Sequence, residues 1–335
     1  MSEPPIVSVE RLEKVFALKG RGAARAHVLN DVSFAIARGE TLGFVGESGS
    51  GKTTTGRILV GLTPATSGAI TLFGHTITGP SGPAELAKAR SRLQMIFQDP
   101  NAALNPRMRV ADSIAEPIDI AGAHSRTDRR DRIAEVLELV GLPPDSGNRF
   151  PHEFSGGQRQ RIVIARALAL SPQFIVCDEP VSALDVSMQA QIVNLLLDLQ
   201  QRFGLSYFFI AHDLGVVRIA SSRIAVMYAG TIVEIAPKRE LFAAPQHPYT
   251  SALLNAAPRP DPSYARPRVI GGEVPSLVNP PSGCRFHPRC PSVMERCRVE
   301  IPKLKATGPG RATACHLFDA PATQSAPKLA SAREG

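Results

Sequence analysis

The chain has 335 residues, a formal net charge of +8 and 43% hydrophobic residues. This length allows one large domain with an appendage or two modest domains, and the apolar share suits a packed core. No apolar run reaches the roughly 18–20 residues that a membrane span needs, and the N-terminus lacks a signal-peptide pattern, so we expect a soluble cytoplasmic protein. The positive charge suits an anionic partner, whether nucleotide, nucleic acid or lipid surface, and does not choose among them.

A phosphate-binding loop is the first functional element in chain order. Residues 41–45 (TLGFV) predict a buried strand, and residues 46–53 (GESGSGKT) fit the pattern G-x-x-x-x-G-K-[ST] before a candidate helix. Glycines let backbone N–H groups curl around phosphates, while Lys52 adds a positive charge and Thr53 offers a hydroxyl to Mg²⁺. The predicted ATP-binding residues of this loop are Gly46, Glu47, Ser48, Gly49, Ser50, Gly51, Lys52, Thr53 and Thr54.

The elements that follow predict an α/β fold. Residues 108–143 carry apolar side chains at helical spacing and predict a helical insertion between strands. Two more buried strands are expected at residues 174–178 (FIVCD) and 206–212 (SYFFIAH), with a helix between them. Strand, helix and strand at this spacing indicate a parallel sheet. Residues 223–236 predict a hairpin, which we expect at the far edge of that sheet.

Two carboxylates follow the strand at residues 174–178. Asp178 ends the strand and Glu179 comes next, so one is placed to hold Mg²⁺ through water and the other to polarise an attacking water. In isolation, two surface carboxylates in a turn would be the simpler interpretation, but the phosphate loop upstream favours the catalytic one. Cys177, inside the strand, is most simply a small buried apolar residue.

Further motifs, in order along the chain, resemble those of the ABC-type ATPases. Residues 154–161 (FSGGQRQR) resemble the signature motif and residues 182–185 (SALD) the D-loop, while MIFQDP and IAHD resemble the Q-loop and the switch-histidine segment. The resemblance covers about residues 5–245. The matching residues are Phe16, where the family stacks an aromatic ring on adenine, and Gln98, Ser155, Gly156, Gly157, Gln158, Ser182, Asp185 and His212.

The resemblance implies a fold and a division of labour. The fold would be an α/β P-loop NTPase of ABC type, with a mixed sheet and a helical signature subdomain at about residues 100–165. The implied catalytic residues are Lys52, Gln98, Glu179 and His212. The implied Mg²⁺ ligands are Thr53, Gln98 and Asp178. In the family the signature faces the γ-phosphate held by an opposing subunit, which implies that the working unit is a dimer with ATP at composite sites.

Three longer stretches resemble the ATPases of dipeptide and oligopeptide importers: QDPNAALNPR, DEPVSALDVSMQAQ and HPYTSALL. These ATPases occur in pairs of F-type and D-type subunits. The sequence PVSALDV and the short C-terminal extension resemble the F-type subunit more than the D-type subunit. This implies an ATPase at the cytoplasmic face of the cell membrane, with a second, D-type ATPase chain, two transmembrane permeases and a substrate-binding protein as partners. A homodimer, and a nickel-importing or sugar-peptide-importing relative, stay open.

Two other functions compete with this interpretation. A soluble ABC ATPase acting on nucleic acid or the ribosome would suit the basic charge. Such proteins usually join two cassettes or insert long coiled coils, whereas this chain has one signature and no heptad run, so we expect no nucleic-acid partner. A regulatory subunit with inactive sites is disfavoured because Lys52, Glu179 and His212 are intact.

Four of the five cysteines lie near the end of the chain, at Cys284, Cys290, Cys297 and Cys315. Because cytoplasmic thiols stay reduced, metal ligation suits them better than disulfides, although the spacing is not the paired C-x₂-C of most zinc sites and His287 and His316 complicate the ligand count. Four thiolates suit Zn²⁺ or a [4Fe–4S] cluster, and unmetallated buried thiols are a third alternative. Resemblance to peptide-importer ATPases described as iron–sulfur carriers favours the cluster, in a structural or redox-sensing role.

The end of the chain changes in composition. From residue 237 onward proline and glycine become frequent, and we expect regular structure to thin out. The sequence predicts a C-terminal importer extension with the four-Cys site over residues 246–319. Residues 320–335, rich in Ala, Ser, Pro and Lys, predict a disordered tail.

Overall fold

The computed structural model describes residues 3–18, 24–122, 126–256 and 271–319. The predicted tail at 320–335 lies outside the described residues. The strands are β1 (Val7–Ala17), β2 (Arg25–Ile36), β3 (Thr41–Val45), β4 (Ser67–Leu72), β5 (His75–Thr76), β6 (Leu93–Ile96), β7 (Phe174–Asp178), β8 (Ser206–Ile210), β9 (Arg223–Tyr228), β10 (Thr231–Pro237), β11 (Lys305–Gly308) and β12 (Arg311–Thr313). The helices are α1 (Lys52–Leu59), α2 (Gly82–Ala89), α3 (Pro100–Ala103), α4 (Val110–Ala121), α5 (Arg126–Leu139), α6 (Gly156–Leu168), α7 (Val186–Phe203), α8 (Leu214–Ala220), α9 (Lys238–Ala243), α10 (Pro248–Ala256) and α11 (Glu295–Val299).

The strands form two sheets. The larger has the order β11-β12-β10-β9-β3-β8-β7-β6, and its five strands from β9 to β6 run parallel. The strands β3, β7 and β8 are buried along their whole length, which is why they read as continuous apolar runs rather than alternating ones. The predicted strands at the phosphate loop and the carboxylate pair are therefore confirmed, and β8 ends at Ile210, two residues before His212.

The smaller sheet, β2-β1-β4-β5, is antiparallel and covers one face of the larger sheet. Phe34 of β2 packs against Phe44 of β3 and Phe208 of β8, with ring centroids 5.0 Å and 5.7 Å away. These aromatic contacts lie in a continuous apolar core between the two sheets. The rigid layer they form holds the strand that enters the phosphate loop.

The predicted hairpin is present, but not where we expected it. β9 and β10 pair antiparallel around Ala229 and Gly230, whose φ angles of 44° and 85° suit a tight turn. The hairpin does not lie at the far edge of the sheet, because β12 pairs with β10 and β11 lies beyond it. The prediction of an edge position was wrong, since strands some seventy residues downstream cannot be placed by local pattern alone.

The predicted helical insertion at residues 108–143 is confirmed by α4 and α5, which pack on each other and on α6. Ile133, Val136, Leu137 and Val140 are all buried in their shared core, as their spacing indicated. Helix α7 ends at Gly204, which takes the left-handed conformation that commonly closes a helix. No helix in the described part of the chain is both long and apolar enough to cross a membrane.

The C-terminal extension is more regular than its composition suggested, because it contains α10, α11, β11 and β12. A buried carboxylate joins it to the sheet. Glu234 of β10, which is fully buried, accepts hydrogen bonds from the backbone N–H groups of Gln246 and His247 and from the guanidinium of Arg311 on β12. These charge-assisted bonds satisfy a carboxylate that would be costly to bury alone.

Candidate nucleotide site

The site lies where parallel strands end. The segments after β3, β6, β7 and β8 meet at one edge of the sheet because neighbouring parallel strands share their carboxyl end. They enclose a cavity of about 500 Å³. Its lining consists of Val28, Ser48, Gly49, Ser50, Gly51, Lys52, Thr53, Thr54, Gln98, Glu179, His212 and Leu277. Sequence reasoning had placed ten of these twelve in the site, and it missed Val28 and Leu277.

The phosphate loop needs glycine at both ends. Gly46 has a φ of 150°, and a Cβ there would lie 2.1 Å from the carbonyl oxygen of Met227. Gly51 has a φ of 106° and stands immediately before α1, where a Cβ would lie 2.9 Å from the carbonyl oxygen of Val28. Any side chain at these positions would force the loop off the neighbouring strands. The loop therefore presents its backbone N–H groups at the first turn of a helix, which suits an anion.

Lys52 is buried at the base of the loop. Its ammonium donates hydrogen bonds to the carbonyl oxygens of Gly46 (2.7 Å) and Glu47 (3.0 Å) and to Ser50 Oγ (3.3 Å). Burial lowers the pKa of Lys52, and the nearby Glu179 and Asp178 carboxylates oppose that shift. A positive charge held this way by the loop is placed to meet the phosphates that the loop accommodates.

Asp178 and Thr53 form an oxygen pair beside the lysine. The Thr53 hydroxyl donates a 2.9 Å hydrogen bond to Asp178 Oδ1. Burial raises the pKa of Asp178 because it disfavours the charged carboxylate. A cation close to this carboxylate would have the opposite effect and favour the charged form. A hydroxyl and a carboxylate beside a phosphate cradle are hard oxygen donors, the type that Mg²⁺ prefers. The residues present therefore fit Mg²⁺-ATP.

Glu179 is fixed by its backbone and by two side chains. Its φ of 48° is uncommon for a residue with a side chain, and its N–H donates to the carbonyl oxygen of Ile210 at 3.0 Å. Gln98 Nε2 donates to Glu179 Oε2 at 2.8 Å, and His212 Nδ1 lies 3.3 Å from the same oxygen. The structure thus brings together the glutamine, glutamate and histidine that lie far apart in the sequence.

The signature residues lie apart from this cavity. Ser155 caps α6: its Oγ accepts from the Gln158 N–H at 3.3 Å, and Gln158 Oε1 accepts from the Ser155 N–H at 3.0 Å. None of residues 155–158 is among the described residues that line the cavity. The glycines Gly156 and Gly157 form the first turn of the helix, where backbone N–H groups have no partner within the helix.

Two residues of the predicted D-loop make local hydrogen bonds. Asp185 caps the start of α7, and Ser182 bonds to the backbone of Glu179. Asp185 Oδ1 accepts from the Met188 N–H at 2.9 Å, and hydrogen bonds from Ser187 and Met188 lower the pKa of Asp185. Ser182 Oγ donates to the carbonyl oxygen of Glu179 at 3.1 Å. The D-loop therefore touches the backbone of the residue that faces the cavity.

Phe16, predicted to stack on adenine, does not line the cavity. It lies on β1, is 40% exposed, and has the Lys14 ammonium 4.6 Å from its ring centroid. Val28 and Leu277 supply apolar lining instead, and the Leu277 carbonyl accepts from the His27 N–H at 2.8 Å. Leu277 belongs to the C-terminal extension, and nothing in its local sequence signals a contact with the nucleotide site.

The four C-terminal cysteines are free thiols, and they lie close enough for the charges of three of them to affect Cys315. The Cys284 N–H donates to the Cys297 carbonyl at 2.8 Å. Burial raises the pKa of Cys284 to about 11 and that of Cys315 to about 12, and the charges of the neighbouring cysteines add to both shifts. Within the described residues, however, no group of three or more His, Cys, Asp or Glu side chains is arranged to hold a metal ion. The predicted iron–sulfur or zinc site is therefore not supported by the structure.

The two nearby histidines are engaged elsewhere. His316 Nδ1 lies 2.7 Å from Asp319 Oδ2 and its Nε2 lies 3.0 Å from the Glu300 carbonyl oxygen. His287 Nδ1 lies 3.0 Å from the Cys284 carbonyl oxygen. Both ring nitrogens of His316 therefore have protein partners, and His287 is engaged through Nδ1.

A phosphate loop after the central strand β3, with a carboxylate pair after the parallel strand β7 on the far side of β8, defines a P-loop nucleotide hydrolase. Comparison with known families narrows the class. The ABC transporter family matches residues 29–182, and the C-terminal region of oligopeptide/dipeptide transporters matches residues 233–297. The chain belongs to the ATP-binding proteins of the ABC transporter family that carry this C-terminal region, and ATPase activity is expected of that family.

Relatives and solved structures agree on this assignment. A protein of Brucella abortus (strain 2308), provisionally named a peptide import ATP-binding protein, is 57% identical over 316 residues, which cover 93% of this chain and 94% of the relative. A similarly named protein of Brucella ovis is 51% identical and covers 94% and 98%. The structure of cbiO1 from Clostridium perfringens, part of the ABC transporter complex cbiONQ, aligns with a TM-score of 0.63 at 26% identity over 72% of this chain and 92% of that one. The cassette MJ0796, in a dimeric post-hydrolysis state bound to ADP and Pi, aligns with a TM-score of 0.62 at 31% identity, covering 70% and 99%.

Proposed function

We propose that this chain is the ATP-hydrolysing subunit of an ABC importer for dipeptides or oligopeptides. The observation that carries the proposal is the union of an intact nucleotide site with a C-terminal region typical of oligopeptide and dipeptide transporters, whose last strands belong to the ATPase sheet. The names of the Brucella relatives support the same substrate class. The subunit would act at the cytoplasmic face of the cell membrane.

Residues of the phosphate loop would bind and orient the triphosphate. The N–H groups of the loop and the first turn of α1 would donate hydrogen bonds to the phosphate oxygens, and Lys52 would exchange its carbonyl partners for phosphate. Thr53 and Asp178 would hold Mg²⁺, directly or through water, with Gln98 nearby. When bound, Mg²⁺ neutralises charge on the β- and γ-phosphates.

Glu179 would accept a proton from, or orient, the water that attacks the γ-phosphate. Gln98 and His212 both contact Glu179 Oε2, so they keep the carboxylate turned toward the cavity. His212 is exposed beside the cavity and would be free to contact the γ-phosphate instead. These roles require no residue beyond those the geometry brings together.

A composite ATP site with a second cassette follows from the position of the signature. Residues 155–158 do not line the cavity of their own chain, although their helix N-terminus is suited to an anion. We propose that they face ATP held by a second ABC ATPase subunit, a different, D-type chain. The dimeric state of MJ0796 supports the pairing of two cassettes.

The permease partners would dock on an apolar groove between the sheet and the helical insertion. Leu62, Phe97 and Ile120 expose apolar side chains and line this groove of about 350 Å³, with Glu116 and Arg166 as an ion pair in it. Three exposed large apolar residues around one concave surface mark a contact site rather than ordinary surface. An importer of this class needs two transmembrane permeases, and a substrate-binding protein would select the cargo.

The finer assignment of a [4Fe–4S] cluster, or alternatively Zn²⁺, rests only on four neighbouring thiols and on family resemblance. Their raised pKa values mean that any metal must displace protons from Cys284 and Cys315. The thiols would also have to rearrange before holding it. Iron, sulfide and zinc analysis of anaerobically purified full-length chain tests this. About four irons and four sulfides per chain support the cluster, whereas their absence rejects it.

Growth of an auxotroph tests the proposed function. A strain lacking this chain and unable to make one amino acid is supplied with that amino acid free or within a dipeptide or a longer peptide. We expect growth on the free amino acid in all cases, and growth on peptide only when the intact chain, not Lys52→Ala, is restored. Unimpaired peptide use in the strain lacking the chain contradicts the substrate class. If the strain lacking the chain uses peptides normally but loses nickel uptake, the proposed cargo is wrong and the proposed ATPase activity stands.

A further inference from the structure

An arginine of the C-terminal extension forms an ion pair with a residue of the phosphate loop. Arg289 Nη1 donates to Glu47 Oε2 at 2.8 Å, and its Nη2 donates to Glu47 Oε1 at 3.0 Å. The two residues are 242 positions apart, and only 4% of the Arg289 side chain is exposed. Two parallel bonds between a guanidinium and a carboxylate fix orientation as well as charge.

The rest of the guanidinium is also used. Nε donates to the carbonyl oxygen of Gly271 at 2.9 Å, and Nη1 makes a second contact with the Tyr228 hydroxyl at 3.2 Å. Phe286, three residues before Arg289, is buried against the rings of Tyr228 and Tyr249 with centroids 5.1 Å and 5.4 Å away. These contacts hold the Arg289 side chain in place independently of Glu47. Less side-chain entropy is therefore lost when the Arg289–Glu47 ion pair forms.

Glu47 is held at three points. Its N–H donates to the Tyr249 hydroxyl at 2.9 Å, its carboxylate pairs with Arg289, and its carbonyl accepts from Lys52 Nζ at 3.0 Å. The same carbonyl also accepts from the Ser50 N–H at 3.3 Å. The position of Glu47 therefore determines the conformation of the loop that carries Lys52 and the phosphate-facing N–H groups.

The charge of Glu47 gives the pair a second effect. The carboxylate is partly buried at the start of a loop that receives a highly anionic ligand. Left unpaired, it would repel the triphosphate in a site where screening by water is weak. Arg289 cancels that charge at hydrogen-bond distance.

We propose that Arg289 is a positioning residue of the nucleotide site. Through Glu47 it holds the phosphate loop in its binding conformation and neutralises a carboxylate that would otherwise oppose ATP. The C-terminal extension is then part of the machinery that binds nucleotide. This inference concerns ATP binding alone and does not depend on which cargo the importer carries.

Equilibrium binding of Mg²⁺-ATP to the purified full chain tests the proposal, with a fluorescent ATP analogue as the probe. Arg289→Gln should raise the Kd about tenfold, within the range of coupling measured for contacting pairs. Arg289→Lys keeps the charge but loses the paired geometry, and it should fall between Arg289→Gln and the unaltered chain. Arg298→Gln is the matched control, because Arg298 lies in the same extension, is exposed and pairs only loosely with Glu295 at 3.8 Å.

The double variant separates positioning from simple packing. Glu47→Gln removes the charge that Arg289 cancels, so Arg289→Gln on that background should change the Kd by less than about threefold. If Arg289→Gln lowers only the melting temperature and leaves the Kd of the folded protein unchanged, the proposal is overturned. Should Arg289→Gln fail to fold, Arg289→Lys decides: an unchanged Kd with that variant overturns the proposal equally.

Discussion

Gln98 donates a 2.8 Å hydrogen bond to the same Glu179 oxygen that lies 3.3 Å from His212. The three side chains follow three neighbouring parallel strands, β6, β7 and β8. Their meeting is a direct result of strand order, since each lies one or two residues past the carboxyl end of its strand. The carboxylate between them is therefore oriented before any ligand arrives.

Replacing Glu179 tests its role in hydrolysis. Glu179→Gln keeps the shape and should keep ATP binding, while ATP turnover in the assembled ATPase falls at least ~100-fold, the scale for losing a positioned base. Turnover and nucleotide affinity are measured on the same preparation, with Glu240→Gln on α9 as the control. Near-normal turnover by Glu179→Gln would remove the residue from the mechanism.

The isolated chain should hydrolyse ATP slowly. The signature residues do not line the cavity of their own chain, and in the proposed composite site a second cassette would supply them. Turnover per chain should rise at least ~10-fold when the companion ATPase and permeases are added, as expected for supplying missing γ-phosphate contacts. A monomeric preparation, verified by light scattering, that already works at the full rate would refute the composite site.

Ile120 tests the permease groove. It is 81% exposed on α4 and lines the groove, so Ile120→Asp should fold normally and bind ATP normally. Peptide uptake should fall at least ~10-fold, since an aspartate buried in an apolar interface costs more than 1 kcal/mol. Ile219→Asp, at an exposed position on α8 away from the groove, is the matched control. Equal uptake by the two variants would place the permease elsewhere.

His247 predicts a loss of stability in acid. It is fully buried, and burial lowers its pKa from 6.5 to about 3, so the folded chain keeps it neutral. The unfolded chain takes up a proton below pH 6.5, so His247 contributes stability that is complete above that pH and is lost as the pH falls toward 3. Its share of the slope reaches about 1.4 kcal/mol per pH unit.

Urea unfolding of His247→Asn between pH 7.5 and 4.5 measures that share. Asparagine can still accept the hydrogen bond that His247 Nδ1 receives from the Tyr249 N–H at 3.0 Å, but it does not titrate. The variant should therefore lose less stability than the unaltered chain on acidification. His152→Asn, at an exposed position, should follow the unaltered chain. Parallel pH profiles for His247→Asn and the unaltered chain would contradict the assignment.

Local patterns predicted the parts of the site that are local. The phosphate loop and the strand ending at Asp178 each depend on residues within a few positions of one another. The clustering of Gln98 with Glu179 was expected only because the motifs resembled a known family. Short-range signals of this kind survive folding because tertiary packing reinforces them.

Long-range contacts account for what the sequence did not reveal. Arg289 and Glu47 meet across 242 positions, and Leu277 reaches the nucleotide cavity from the extension, yet neither stretch has a periodicity that indicates a site. Phe16 was expected at the cavity by resemblance, but it lies on β1 and is not among the residues that line the cavity. The sequence placed four cysteines near one another along the chain. Whether thiols can share a metal depends on where their side chains lie, and sequence spacing alone does not determine that.

The pairing of β12 with β10 has a thermodynamic consequence. A chain cut after residue 245 would leave the outer N–H and C=O groups of β10 unpaired, strip Arg311 from buried Glu234, and present a raw sheet edge to other molecules. The nucleotide-binding core and the cysteine-bearing extension should consequently melt together, in one calorimetric transition rather than two. Proteolytic nicking or thiol damage near the C-terminus would then cost cooperativity throughout the sheet, including the strands that carry the phosphate loop.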